Sequence, residues 1–102
     1  MSGNAMRVKI LREAHDDIKA GRLFYDSQEQ GVGAYFSSTI YADIRSLRNF
    51  GGIHPKRHDY HMMLVRRFPY AIFYDKSGSE VTVVAVLDCR RDPLWVAQRL
   101  SR

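Results

Sequence analysis

A chain of 102 residues with 45% apolar side chains has room for one domain around one core, and it excludes both a multidomain machine and a disordered chain. Sixteen Lys and Arg against eleven Asp and Glu leave a net charge of +5, and twelve of those cations are Arg, whose planar fork grips phosphate or carboxylate with two hydrogen bonds. The single cysteine, Cys89, excludes an internal disulfide, and no stretch approaches the roughly 18 apolar residues of a membrane span.

The first residues, Met1-Ser2-Gly3-Asn4-Ala5, carry no cationic leader followed by an apolar run. They are read as an appended or disordered start before Met6, leaving 6–102 as a single domain in a reducing cytoplasm. Met6 to Leu11 alternates, with Val8 and Ile10 on one side and Arg7 and Lys9 on the other, which predicts a half-buried strand. From Glu13 the period changes. Ala14, Ile18, Gly21 and Tyr25 share one helical face, and Glu13, Asp16 and Asp17 sit near the N-terminus, where the helix dipole favours acids. Gly31-Val32-Gly33 breaks the pattern, Phe36, Ile40, Ile44 and Leu47 form a second stripe, and Gly51-Gly52 ends it. Two amphipathic helices so close together predict an antiparallel helical hairpin.

Ile53 to Asp59 reads as a polar loop. Tyr60 to Arg66 and Tyr70 to Asp75 read as strands joined by a turn near Arg67-Phe68-Pro69, since proline cannot donate to a ladder. Val81 to Leu87 is the most apolar strand: Val81, Val83, Ala85 and Leu87 fall on one side, Val84 and Val86 on the other, so both faces are expected to be covered. Asp92-Pro93 supplies an N-cap and a proline for the first helical position, opening a last short helix to Leu100. The predicted class is α+β, in the order β-α-α-β-β-β-α, with the hairpin packed on a small antiparallel-type sheet.

That order, the stretch Leu64-Val65-Arg66-Arg67-Phe68-Pro69-Tyr70-Ala71-Ile72-Phe73-Tyr74, and the stretch Val83 to Leu87 followed by Asp88-Cys89-Arg90-Arg91-Asp92-Pro93 resemble the RelE/ParE toxin superfamily. The first helix, with Ala14, Ile18 and Phe24-Tyr25, is similar to its ParE branch. The resemblance implies a growth-inhibiting, plasmid-stabilising type of bacterial toxin, neutralised by a small antitoxin encoded beside it. Operator DNA would be met only indirectly through that antitoxin, and no cofactor or membrane is implied. Two target classes exist in the superfamily: RelE-like members cut messenger RNA in the ribosome, and ParE-like members block DNA gyrase.

RNA cleavage needs a base for the 2′-hydroxyl, a cation for the phosphate and an acid for the leaving oxygen. Arg91 matches the family's arginine after the last strand, and Arg66 and His61 are the other candidates. Ala71, however, stands where ribonucleolytic members carry arginine, and the last helix has no tyrosine; Trp95 is its nearest aromatic, with an indole N–H that is no acid. Inhibition by binding needs only an anchor and placed cations, for which Arg90, Arg91, Trp95, Arg66 and Arg67 qualify. Trp95 either plugs the core beneath the last helix or stands as that anchor. Neighbours in an extended segment alternate sides, so one of Arg90 and Arg91 can pair with Asp88 or Asp92 while the other faces a partner. Lys56 and Arg57 are candidates for phosphate contacts. His54, His58, His61 and Asp59 fit no common closed zinc site, and no metal is expected. The leading expectation is a gyrase inhibitor of the ParE type, the alternative a ribosome-dependent endoribonuclease, and the third a non-toxic module that still binds an antitoxin. The antitoxin itself is expected to lay an acidic, partly helical segment along the sheet and hairpin.

Overall fold

The computed structural model describes residues 5–101. Of Met1–Ala5 only Ala5 falls within them, so the expectation for that start lies outside the described residues. The chain runs β1 (Arg7–Ile10), α1 (Arg12–Gln28), α2 (Val32–Phe50), β2 (Lys56–Arg57), β3 (Tyr60–Leu64), β4 (Tyr70–Ser77), β5 (Glu80–Asp88) and α3 (Pro93–Leu100). The strands form one sheet in the order β1-β5-β4-β3-β2. Neighbours are antiparallel except that β1 lies parallel to β5, with Val8 beside Val81 and Ile10 beside Val83. The expected α+β hairpin-on-sheet layout is the observed one.

The helical periods work as predicted. Ala14, Ile18 and Gly21 of α1, and Phe36, Ile40, Ile44 and Leu47 of α2, turn toward the sheet and are buried. The hairpin turn is held by one side chain: the Asp26 carboxylate accepts from the Gly31 N–H at 3.1 Å and the Gly33 N–H at 2.8 Å, satisfying orphan donors at the start of α2. Gly33 is required there because a Cβ would lie 2.3 Å from the Arg22 carbonyl oxygen.

Two differences from the sequence reading have physical causes. Residues 53–59 are not wholly loop, because Lys56 and Arg57 pair with His61 and Tyr60 as β2. The turn between them, His58-Asp59, holds both residues at positive φ, 58° and 68°, the geometry that two-residue hairpins require. In β5 the alternation slips. Phe73 faces Ala85 while Tyr74 faces Val83, so Val84 is an extra residue, a β-bulge. As a result Val81, Val83 and Val86 pack toward the helical hairpin, whereas Val84, Ala85 and Leu87 turn to the opposite face. A strict period of two had put Ala85 and Leu87 with Val81 and Val83.

Both faces of the sheet are covered, unequally. The hairpin face buries the larger cluster, including Phe36, Ile72, Tyr74 and Val86. The other face carries a smaller one of Tyr60, Ala71, Phe73, Ala85, Leu87 and Leu100, closed by α3. Among the described residues no helix is long and apolar enough to cross a membrane.

Candidate functional site

β1 stops at Ile10, and its last backbone bond to β5 runs from the Leu11 N–H to the Val83 carbonyl at 3.0 Å. Beyond that point the β5 edge has no strand beside it. The chain turns at once into α1, which carries Asp17 over the vacant edge. One Asp17 oxygen accepts the Val86 N–H at 3.0 Å, and both oxygens receive the Arg99 guanidinium at 2.8 Å, in the bidentate geometry that suits arginine. A side-chain carboxylate thus continues the edge of the sheet and ties α3 across it.

Past β5 the chain makes a compact exit turn. The Asp88 carboxylate accepts from the Arg90 backbone N–H at 2.8 Å and from its side chain at 3.0 and 2.8 Å. The Cys89 N–H donates to the Pro69 carbonyl at 2.7 Å, which fastens the exit to the β3–β4 turn. Asp92 then accepts from the Leu94 N–H at 3.0 Å and, with Pro93 at the first helical position, starts α3 as its sequence predicts. Arg91 makes no ion pair with Asp88, and its guanidinium lies 3.7 Å from the centre of the Trp95 ring. Arg99 stands 5.6 Å from the same ring.

These elements enclose an open cleft of about 620 Å³. Ala20, Gly21 and Phe24 of α1 form one wall, Tyr70, Val86 and Leu87 line its floor, and Arg90, Arg91, Trp95 and Arg99 stand around the remainder. Two of its ionisable groups are held away from their ordinary values. The Tyr70 hydroxyl is pushed up to about 12, first by burial and then by the Asp88 charge. Asp88 is held below the ordinary 3.8, chiefly by the hydrogen bond from Arg90. Burial also raises the Cys89 thiol beside the cleft, keeping it protonated at neutral pH. Arg91 keeps its charge exposed and makes no ion pair among the described residues. What the cleft offers is an apolar floor and a stacked guanidinium.

The predicted residues divide accordingly. Arg90 is the structural partner of Asp88 and Arg91 the available one. Trp95 is half-buried against the α3-side core and also lines the cleft. Arg66 and Arg67 share this end of the sheet but do not line the cleft, and Arg67 donates to the Tyr35 hydroxyl at 2.7 Å. Arg57 and His58 do meet Arg91, around a smaller hollow of about 170 Å³ on the α3 face; Lys56 does not line it. His61 lies on β3 opposite Tyr74 of β4, away from the cleft. Its Nδ1–H donates to the His54 carbonyl at 2.6 Å, and its ring stacks on Tyr74 at 5.0 Å. The buried Tyr74 hydroxyl accepts from the Gly52 N–H at 2.9 Å and pairs with His54 Nδ1 at 2.5 Å. His61 therefore pins the segment before β2, a role its spacing did not suggest. Ala71 is fully buried under α3. Among the described residues no group of three or more His, Cys, Asp or Glu could hold a metal ion.

Sequence reasoning missed Asp17, Arg99 and the Asp88–Tyr70 contact. Asp17 read only as a dipole partner of its own helix, and nothing local marks a pair that is 82 positions apart.

No family model matches the chain, and no curated protein matches it. Among solved structures, a chain of the chromosomal ParDE TA system from P. aeruginosa matches with a TM-score of 0.71 at 18% identity, over 82% of this chain and 96% of that one. At that identity the likeness is one of fold, and the fold of this chain is that of the ParDE-system chain.

Proposed function

We propose that residues 6–102 form the toxin of a type II toxin–antitoxin system, a cytoplasmic protein that inhibits a DNA gyrase-class enzyme by occupying its surface. A small acidic antitoxin would neutralise it. The fold shared with a ParDE-system chain supports the first part. The observation that carries the second is Arg91, exposed and stacked on Trp95 at the edge of a cleft that no histidine of the described residues lines. Trp and Arg are the side chains most enriched where a few contacts supply most of the binding energy. Purified protein added to gyrase should suppress supercoiling, and Arg91→Ala or Trp95→Ala should relieve the suppression while circular dichroism stays unchanged. Full supercoiling at saturating protein, with ribosome-dependent cutting of transcripts instead, would sink the proposal.

A specific observation favours that second activity. Arg57, His58 and Arg91 border one hollow, bringing two cations and an imidazole to a phosphate-sized space. A ribosome-dependent endoribonuclease would use these, rather than Arg66 with His61, and its cleavage of transcripts would vanish in His58→Ala and Arg91→Ala alike.

A further inference from the structure

The buried Tyr74 hydroxyl sits at the centre of a short polar chain that reaches from the end of α2 to β3. The Gly52 amide can only donate, so the hydroxyl oxygen accepts there, at 2.9 Å. The hydroxyl hydrogen must then find an acceptor of its own, because Tyr74 is fully buried. His54 Nδ1 provides it at 2.5 Å, and to do so that nitrogen must carry no proton. His61, stacked on the same ring at 5.0 Å, donates from Nδ1 to the His54 carbonyl at 2.6 Å. The two histidines are therefore fixed as opposite tautomers, with the hydrogen on Nε2 in His54 and on Nδ1 in His61.

They respond to acid differently. His61 can take a second proton on Nε2 and keep donating from Nδ1. His54 cannot take one without setting Nδ1–H against the Tyr74 O–H, where burial keeps water from that hydrogen. Apolar packing does not compensate. From Ile53 to Asp59 no side chain is buried, and only that of His54 is part-buried. Besides the Tyr74 chain, the segment is held by the Met62 N–H on the Pro55 carbonyl at 2.9 Å and by the two residue pairs of β2. The charged and titratable groups around His54 give a proton no help. β3 brings His61, and β4 brings Tyr74 and, beside Gly52, the Lys76 side chain. Lys56 and Arg57 follow on its own segment, and Asp75, next along β4, turns to the opposite face by strand alternation. His54 makes no ion pair among the described residues.

We propose that His54 and Tyr74 form an acid-released clasp on residues 52–59: neutral His54 holds the segment to the sheet, and its protonation frees it. β2 goes with it, and Arg57 and His58 leave the hollow they share with Arg91. Acid thus dismantles one side of that hollow while the hairpin face stays packed. Burial and the nearby His61 hold the His54 pKa below the ordinary 6.5. The clasp is therefore complete above 6.5 and is lost as pH falls through the lower value of the held ring. It operates whichever target the protein takes.

The test follows isotope-labelled full-length protein by NMR from about pH 8 to about pH 5. The His54 ring should titrate below 6.5. The Gly52 and Met62 amides should shift with that same midpoint and lose about tenfold in protection from hydrogen exchange, while the α2 amides keep theirs. His54→Asn offers an oxygen where Nδ1 was and no titrating ring, so its segment should stay closed over the whole range. Tyr74→Phe removes the clasp at every pH, so the segment should already be open at the alkaline end, with His54 titrating nearer 6.5. Should either variant fail to fold, the coincidence of the two midpoints in the unaltered protein still decides. The proposal is overturned if His54 titrates at or above 6.5, if it titrates without the segment opening, if His54→Asn opens at the same midpoint, or if α2 loses protection together with the segment.

Discussion

The two faces of the sheet are built on different principles. On the hairpin face, apolar packing does the holding: Phe36 is fully buried, with ring centres of Phe68 at 5.0 Å, Tyr70 at 4.8 Å and Tyr25 at 5.1 Å. On the α3 face the helix contributes one fully buried residue, Leu100, and relies on the Asp17–Arg99 pair and the Trp95 stack for the rest. The candidate cleft lies along the border of the second face. A surface that must meet a partner needs side chains left out of the core, and a helix anchored by polar contacts leaves them free. Under the proposed function, the thin face is where recognition would be built.

The comparison is broken most sharply by emptying each face in turn. Phe36→Ala should cost about 3–5 kcal/mol, the range for removing a large buried ring. Leu100→Ala should cost less, because the loss from α3 is capped by its own docking free energy: once that is spent, the helix detaches locally while the rest stays folded. Chemical denaturation of both variants measures this, and equal losses would refute the distinction. Next in size is Asp17→Ala, which strands the Arg99 guanidinium and the Val86 N–H together. The expected loss is about 1–3 kcal/mol, below that for a fully buried pair because the Arg99 side chain keeps 29% of its surface in water. Hydrogen exchange should quicken in α3 while α2 remains protected; quickening in both would mean that the faces unfold as one.

Much of the packed face was legible in the sequence and little of the polar one. The stripes Ala14-Ile18-Gly21 and Phe36-Ile40-Ile44-Leu47 declare themselves by period, and Asp92-Pro93 announces α3 through local cap chemistry. The Val84 bulge was hidden because every residue around it is apolar, so a one-place slip leaves the composition unchanged. β2 was hidden because His58 and Asp59 are not glycines, although their positive φ does the work of glycine. At the site, Arg91 and Trp95 could be named from their place after the last strand. Whether Arg90 or Arg91 was the free one depended on which way the exit turn folds on Asp88. The Asp17–Arg99 tie depended on β1 ending early enough to bare Val86, a property of the fold.

A smaller effect probes the packed face from within. Alanine at Gly21 would place its Cβ 2.6 Å from Phe36 and 3.2 Å from the Tyr70 hydroxyl. Alanine gains about 1 kcal/mol of helix propensity over glycine, and overpacking costs about 1–3 kcal/mol, so a net loss of about 1 kcal/mol is expected. The loss should disappear in the Gly21→Ala, Phe36→Leu double variant, where the smaller side chain makes room; simple additivity of the two losses would show that no steric conflict exists.

The gentlest probe is pH, because one limb of the stability curve reports on each region. Asp88 belongs to the exit turn, and its folded-state pKa lies below the ordinary 3.8 through the hydrogen bond from Arg90. A depressed carboxylate contributes stability that is present above 3.8 and lost as pH falls through the folded value. Tyr70 faces the hairpin core, and its pKa moves from 10.0 to about 12 through burial. A raised pKa reverses the sign: that stability is complete below 10 and lost as pH climbs toward 12. Stability measured against pH should therefore lose its acid limb in Asp88→Asn, which also trims the alkaline limb by the Asp88 share of the Tyr70 shift, and lose its alkaline limb alone in Tyr70→Phe. The comparison needs only differences between curves, so groups such as His54, lowered from 6.5 by burial and present in all three proteins, cancel. If Asp88→Asn erased the alkaline limb as completely as Tyr70→Phe, the exit turn and the aromatic core would be one cooperative unit, and the separation between the two regions would be false.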